Sequence, residues 1–326
     1  MHKMNSANLI NYRPGDPTIW NGRVDGTTPD LFRWHQVVSM IDLRDDQSLD
    51  GAFVLLGFCC DEGVRRNLGR IGAKRGPEAL RKVLAGLPVH FDSSVRLLDA
   101  GDVICEGEFL EECQASLTIA VNKIIRSGGF PILLGGGHEI TFPHFLGIQQ
   151  ATGQSVGIIN LDAHLDIRPL VEGKGNSGTG FYQIAEYCEG KEIDFKYLAI
   201  GIQDISNTKA LFNFAHSKSV QIFHVKELHE QRIGKIIDEI IAFGRSVDSV
   251  YLTVDLDVFS AAYAPGVSAP AYRGIVPDIN FDLLFSTILE LPNLRSVDVA
   301  ELNPAFDIDN RTAKLAADLL FKVLQK

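Results

Sequence analysis

The sequence has few of the features that mark secreted, membrane-spanning or nucleic-acid-binding proteins. Its 326 residues include only five cysteines, and because these lack CxxC spacing they predict neither a disulfide framework nor a thiolate zinc site. There is no apolar run of the roughly 18 residues that span a bilayer, and residues 1–30 lack the apolar core of a signal peptide. These absences predict a cytoplasmic protein with reduced thiols.

Basic residues are outnumbered as well: 31 lysines and arginines face 41 aspartates and glutamates, for a formal net charge of −10. This balance argues against nucleic acid or an anionic membrane as a partner, because both require a basic surface. Apolar residues make up 45% of the chain. That share is typical of a soluble globular protein with a sizeable core.

Short apolar segments alternate with longer segments of helical periodicity. The predicted strands are residues 53–58, 95–98, 132–134, 156–161, 197–202, 220–225, 250–254 and 296–299. The predicted helices are residues 77–84, 111–126, 233–243 and 281–289, with a last helix after Asn310. This alternation is typical of an α/β protein whose mainly parallel sheet is buried between helices. We expect residues 1–45 to be an N-terminal extension and residues 46–326 to be a single catalytic domain.

Ligand-type side chains cluster where three of these strands end. Two acids and a histidine alternate in the segment 160–166, two acids alternate in 255–257, and a histidine follows three glycines in 135–138. In extended backbone alternate residues point the same way, and the carboxyl ends of parallel strands share one edge of a sheet. We therefore expect six side chains to meet: His138, Asp162, His164, Asp166, Asp255 and Asp257.

Four aspartates packed together would repel one another, and several would have to take up protons. Two divalent cations would remove this conflict and lower the pKa of a water molecule between them. Carboxylate oxygens with two imidazoles favour manganese over zinc. Each motif alone is also compatible with a polar strand end or a tight turn, but the three together predict two Mn²⁺ per subunit and a hydrolase.

At these positions the sequence resembles the ureohydrolase (arginase/agmatinase) superfamily, and within it formimidoylglutamase. The resemblance rests on residues 135–139, 162–166, 255–259, 264–266 with Pro270, and 301–304, and for formimidoylglutamase on residues 63–77 and 176–181. It implies an arginase-like three-layer α/β/α sandwich around a central eight-stranded parallel sheet. It also implies a homo-oligomer, a trimer or a hexamer, that acts on a small amidine or amino-acid substrate.

The resemblance further implies roles for the clustered residues. One cation would be held by His138, Asp162, Asp166 and Asp255, and the other by Asp162, His164, Asp255 and Asp257. Asp166 would also pass a proton to the leaving nitrogen, and Glu301 would bind the substrate amidinium. The reaction implied is hydrolysis of N-formimino-L-glutamate to L-glutamate and formamide, a step of histidine catabolism.

A substrate with two carboxylates requires basic and polar contacts. The candidate substrate contacts are Arg65, Arg66, Arg70, Arg168, Ser177, Thr179 and Glu301. Where arginases and agmatinases have a histidine before a glycine, this chain has Ser177 and Gly178, which disfavours both activities. Two alternatives stay open: a guanidino-compound hydrolase that releases urea, and a catalytically silent metal-binding homologue.

Overall fold

A central sheet organises the chain. The computed structural model describes residues 9–228 and 230–326, and in them ten strands form one sheet. The strands are Tyr12–Arg13 (β1), Ser39–Met40 (β2), Ala52–Cys59 (β3), Arg96–Ile104 (β4), Phe130–Leu134 (β5), Val156–Leu161 (β6), Lys196–Ile202 (β7), Gln221–His224 (β8), Ser249–Asp255 (β9) and Leu294–Ala300 (β10). Their order is β1-β4-β3-β5-β10-β9-β6-β7-β8, with β2 also paired to β4. The eight strands β3 to β10 are parallel, as predicted.

Helices cover both faces of this sheet. The α-helices of the described residues are Trp34–Val37 (α1), Glu62–Arg66 (α2), Gly76–Leu84 (α3), Leu110–Arg126 (α4), Thr141–Thr152 (α5), Gly180–Gly190 (α6), Lys209–Ser217 (α7), Glu230–Arg245 (α8), Ile279–Leu289 (α9) and Arg311–Val323 (α10). Buried residues of α3, α8, α9 and α10 form one apolar cluster and those of α4 to α7 form another. The predicted three-layer α/β/α architecture is therefore confirmed. Within the described part, no helix combines the length and apolar character needed to cross a membrane.

The N-terminal segment pairs with one side of the sheet through its strands β1 and β2. β1 pairs antiparallel and β2 parallel with β4, which gives the sheet two short strands that the sequence did not predict. Trp34 is fully buried, and the indole N–H of Trp20 donates to Oδ2 of Asp99 over 2.7 Å. The domain boundary at residue 45 stays a prediction, although this segment contributes strands and core residues to the same sheet.

β4 extends six residues beyond the predicted end at residue 98. The apolar pattern breaks there because Asp99 and Asp102 lie within the strand. Both acids are paired with the buried Arg81 of α3, at 2.8 and 2.7 Å. A buried carboxylate is tolerated where an arginine and hydrogen bonds satisfy it, so the strand continues through a polar stretch. Helices α5, α6 and α7 were also not predicted.

The sheet order determines which strand ends lie side by side. β5, β10, β9 and β6 are consecutive neighbours at the centre of the sheet and run parallel. Their carboxyl ends therefore open side by side, which is where ligands bind in parallel α/β folds.

Candidate metal centre

The six predicted ligand side chains lie together at this central edge. His138 follows β5, Asp162, His164 and Asp166 follow β6, and Asp255 and Asp257 lie at the end of β9. Two groups of possible ligand atoms, each lying within 4.8 Å of one another, combine them: His138, Asp162, Asp166 and Asp255 in one, and Asp162, His164 and Asp257 in the other. Asp162 belongs to both groups and can contribute to two neighbouring sites.

The first group surrounds one imidazole nitrogen. Nδ1 of His138 lies 2.9 Å from Oδ2 of Asp166 and 3.3 Å from Oδ2 of both Asp162 and Asp255. The other ring nitrogen, Nε2, points away from the acids and lies 3.0 Å from the Thr253 hydroxyl. Nδ1 is therefore the nitrogen available to a cation.

The second group is built around His164. Its Nδ1 lies 3.1 Å from Oδ2 of Asp257 and 3.4 Å from Oδ1 of Asp162. Asp255, which the resemblance assigns to both sites, belongs only to the first group in the described residues, and its Oδ1 accepts the main-chain N–H of Asp257. A bridging role for Asp255 stays a prediction.

Unusual backbone conformations bring these side chains into position. A Cβ on Gly136 would lie 1.8 Å from the carbonyl oxygen of Cys60, so only glycine lets the chain pass from β5 to His138. Asp166 has a φ of 47° and Glu301 a φ of 68°, in the left-handed region that non-glycine residues rarely occupy. Asp166 thus reaches the cluster through a turn after β6 and not through a continued extended strand. Strain of this kind is concentrated at functional sites.

The cluster is buried and electrostatically costly. Burial and the charge of Asp257 raise the pKa of Asp255 well above its usual value, and burial also raises the pKa values of Asp166 and Asp257. Burial would lower the pKa of His138, but the surrounding aspartates raise it well above its usual range. Acids and imidazoles held so close together need a positive charge among them.

A divalent cation fits this donor set. The side chains offer carboxylate oxygens and two imidazole nitrogens within one small volume, which matches the preferences of manganese. Oδ1 of Asp257 is buried and has no hydrogen-bond partner among the described residues. A buried carboxylate oxygen without a donor is expensive, and a bound cation would satisfy it.

Glu301 lies beside the cluster, immediately after β10. Its Oε1 accepts the main-chain N–H of His138 over 2.9 Å, whereas its Oε2 is buried without a hydrogen-bond partner among the described residues. Burial and the nearby Glu139 raise the pKa of Glu301 to about 8. The side chain lines the same cleft as five of the six ligand candidates, and the sixth, Asp162, is fully buried.

This cleft, of about 300 Å³, also contains three of the predicted substrate contacts: Arg70, Arg168 and Ser177. Arg168 is exposed and has no ion pair in the described part of the chain. The guanidinium of Arg70 is committed to structure, since it donates to the carbonyl oxygens of Val267 and Ser268 and stacks on Phe306. Arg168 is thus the cation of the cleft that is free to bind an anion.

Three other predicted contacts lie outside the lining of the cleft. Arg65 pairs with Glu62 and Glu108, and Arg66 with Glu62 and Glu111, so both guanidinium groups are satisfied by acids. Thr179 is fully buried. Its hydroxyl accepts the N–H of Asn176 and donates to the Asn176 carbonyl oxygen. The geometry does not support these three residues as substrate contacts, because their polar groups already have partners.

Sequence reasoning missed several polar residues of the site, among them Asn67 and Thr253. Asn67 lines the cleft and donates from Nδ2 to the hydroxyl of Ser177 over 3.0 Å, which joins two loops of the rim. Thr253 contacts His138 from within β9. The signal for Thr253 was present, since it is a polar residue between apolar ones two positions before Asp255.

The chain is similar to known proteins over most of its length. The model of the Arginase family matches residues 51–325. The formimidoylglutamase of Clostridium tetani is 42% identical over 325 residues, which cover 97% of this chain and 96% of that protein. The formimidoylglutamase of Ralstonia nicotianae is 42% identical over 316 residues, 95% of each chain. A crystal structure of Trypanosoma cruzi formiminoglutamase with Mn²⁺ has a TM-score of 0.73 and 28% identity, covering 84% of this chain and 92% of that one.

Proposed function

Because the chain belongs to the arginase family, we propose that it hydrolyses the C–N bond of N-formimino-L-glutamate, giving L-glutamate and formamide. The observation that carries this proposal is the position of Glu301, which has a carboxylate oxygen without a partner among the described residues and lines the same cleft as five of the six candidate ligands. An amidine needs both features: a site that activates water and a buried acid that binds a planar cation. Near full-length similarity to formimidoylglutamases supports this substrate over a guanidino compound.

The two groups of side chains would hold two Mn²⁺ ions. His138, Asp166 and Asp255 serve one ion, His164 and Asp257 the other, and Asp162 serves both. Bound manganese would supply the Lewis acidity that makes a water molecule nucleophilic near neutral pH. The similar formiminoglutamase of Trypanosoma cruzi was crystallised with Mn²⁺, which supports this choice of metal.

The acids of the cleft orient the substrate and move its protons. Oε2 of Glu301 accepts hydrogen bonds from the amidinium nitrogens, while the His138 N–H holds Oε1 in place. Water adds to the formimino carbon and gives a proton to Asp166; the bond from the resulting tetrahedral carbon to the glutamate nitrogen then breaks, and formamide keeps the other nitrogen. Asp166, whose carboxylate lies at the first group of side chains, delivers the proton that the departing nitrogen needs.

Recognition of the glutamate part requires positive charge and hydrogen-bond donors in an otherwise acidic protein. Arg168 is the cation of the cleft without an ion pair in the described residues, so it binds one substrate carboxylate. Asn67 and Ser177, which are hydrogen-bonded to each other at the rim, offer neutral donors to the same part of the substrate. Arg70 shapes the rim through its carbonyl contacts.

The proposed enzyme would act in the cytoplasm as a homo-oligomer. All five cysteines are free, as expected for a reducing compartment, and a cytoplasmic site of action stays a prediction. A trimer or hexamer likewise stays a prediction from family resemblance. A place in histidine breakdown follows from the proposed substrate.

The test is a product assay with purified, Mn²⁺-loaded protein. Given N-formimino-L-glutamate, the protein should release formamide and glutamate in equal amounts. Agmatine and L-arginine, assayed in parallel for urea, provide the comparison. Urea release that exceeds formamide release would favour a guanidino-compound hydrolase. Absence of turnover, together with absence of bound metal, would favour a silent homologue.

A further inference from the structure

A fully buried hydrogen-bond network lies behind the first group of ligand side chains. Nε2 of His138 lies 3.0 Å from the Thr253 hydroxyl, and that hydroxyl donates to Oδ1 of Asp298 over 2.6 Å. Thr253 lies in β9 and Asp298 in the neighbouring β10, and neither is accessible to solvent. Each is flanked by two buried apolar residues, Thr253 by Leu252 and Val254 and Asp298 by Val297 and Val299, so packing alone does not explain them.

The remaining partners of Asp298 show that it acts as a hydrogen-bond acceptor. Its Oδ2 accepts a hydrogen bond from the hydroxyl of Tyr251 and lies 2.6 Å from Nδ1 of His144. Nε2 of His144 lies 2.6 Å from the Ser296 hydroxyl, which donates to the carbonyl oxygen of Pro131. The hydroxyl protons of Tyr251 and Thr253 both point to Asp298, and a proton on Nδ1 of His144 points to it as well.

This count of protons determines the tautomer of His138. Thr253 has a single hydroxyl proton and gives it to the nearer acceptor, Asp298, so towards His138 it can only accept. His138 must then carry its proton on Nε2. Nδ1, which faces Asp162, Asp166 and Asp255, is left with its lone pair directed into the cluster.

We infer that Thr253 and Asp298 are positioning residues that hold His138 in the tautomer and ring orientation required to bind one of the two cations. Without them, the three neighbouring carboxylates would draw the proton to Nδ1 and block the ligand atom. The inference rests on the proposed metal function, and it assigns a separate task to two residues that touch neither cation nor substrate. Partners of this kind fix metal-binding histidines, and their loss lowers metal affinity by about 10- to 100-fold.

The experiment compares Thr253→Val with Thr253→Ser and Tyr251→Phe. Valine keeps the shape of threonine without the hydroxyl, and serine restores the hydroxyl. Tyr251→Phe removes a different donor to the same Asp298 and leaves His138 untouched. Each metal-free protein is titrated with MnCl₂ while the free Mn²⁺ is measured by electron paramagnetic resonance. Thermal unfolding is followed in parallel, and Thr253→Ala replaces the valine variant if that variant does not fold.

We expect the wild type, Thr253→Ser and Tyr251→Phe to bind two ions with similar affinities. Thr253→Val should bind one ion normally and the other about 10- to 100-fold more weakly, because only one group contains His138. Wild-type binding of both ions by Thr253→Val would overturn the inference, as would equal losses in Thr253→Val and Thr253→Ser or in Thr253→Val and Tyr251→Phe. A wild-type protein that binds fewer than two ions would instead refute the proposed metal centre itself.

Discussion

The main-chain N–H of His138 donates to Oε1 of Glu301 over 2.9 Å, and this one contact joins the candidate metal centre to the candidate amidinium site. The two residues follow β5 and β10, which are neighbouring parallel strands. Their separation is therefore determined by the sheet and not by a mobile loop. A substrate amidinium on Glu301 would lie in the cleft that five of the six clustered side chains line.

Replacement of Glu301 by glutamine should separate substrate binding from metal binding. Glutamine keeps the acceptor for the His138 N–H but removes the charge that pairs with the amidinium. We expect kcat/KM to fall by about 10- to 100-fold, because a hydrogen bond to a charged group contributes roughly 1.5–3 kcal/mol. The manganese content, measured by atomic emission, should not change. Wild-type turnover would remove Glu301 from the proposed role.

Asp257→Ala should lose both bound Mn²⁺ and activity. The side chain belongs to the second group of ligands and has a buried oxygen without a partner among the described residues. We expect one equivalent of Mn²⁺ to be lost and activity to fall by about 100-fold or more. Loss of a residue that only supports a metal ligand lowers metal affinity or activity by up to about 100-fold, and Asp257 is itself a candidate ligand. Asp248→Ala, just before the opposite end of β9 and exposed, is the matched control. Full turnover with one metal per chain would refute the paired site.

Arg168→Ala should weaken substrate binding without loss of metal. Its guanidinium is the unpaired cation of the cleft in the described residues, so KM for N-formimino-L-glutamate should rise by about 10- to 100-fold. Arg65→Ala is the control, because Arg65 is also exposed but pairs with Glu62 and Glu108. If the two variants show the same KM, Arg168 does not bind a substrate carboxylate.

Arg81→Met should destabilise the fold at a distance from the proposed chemistry. The arginine is buried and bonded to Asp99, Asp102 and the Gly101 carbonyl oxygen. Removal of one partner of a buried ion pair costs about 3–5 kcal/mol because the remaining charges stay unpaired. Urea unfolding should show this loss, whereas Lys82→Ala, which removes an exposed pair with Glu78, should leave the midpoint unchanged. Equal midpoints would contradict a structural role for Arg81.

The sequence predicted the sheet well because its strands are buried on both faces. Seven of the eight predicted strands lie within two residues of the observed bounds, and the exception is β4. Asp99 and Asp102 interrupt the apolar pattern of β4, and the sequence does not show that Arg81 pairs with both acids. Helix α5 was missed for a related reason: Phe145 and Ile148 are buried beside His144 and Thr141, so no polar face marks the helix.

The candidate site was predictable where the chemistry itself dictates residue types. Acids and histidines at strand ends indicate a cation site, and the structure brings the six predicted ligand side chains together. Substrate contacts were harder, because the sequence does not show which arginines are paired. Arg65 and Arg66 are engaged by Glu62, whereas Arg168 has no acid beside it in the described part. Thr179 sits in the predicted loop but turns its hydroxyl into the loop's own backbone.

The most direct measurement of the central claim is anomalous diffraction at the manganese edge from crystals of the Mn²⁺-loaded protein. Two peaks should appear, one among His138, Asp162, Asp166 and Asp255 and the other among Asp162, His164 and Asp257. Peaks elsewhere, or none at the ends of β5, β6 and β9, would contradict the account.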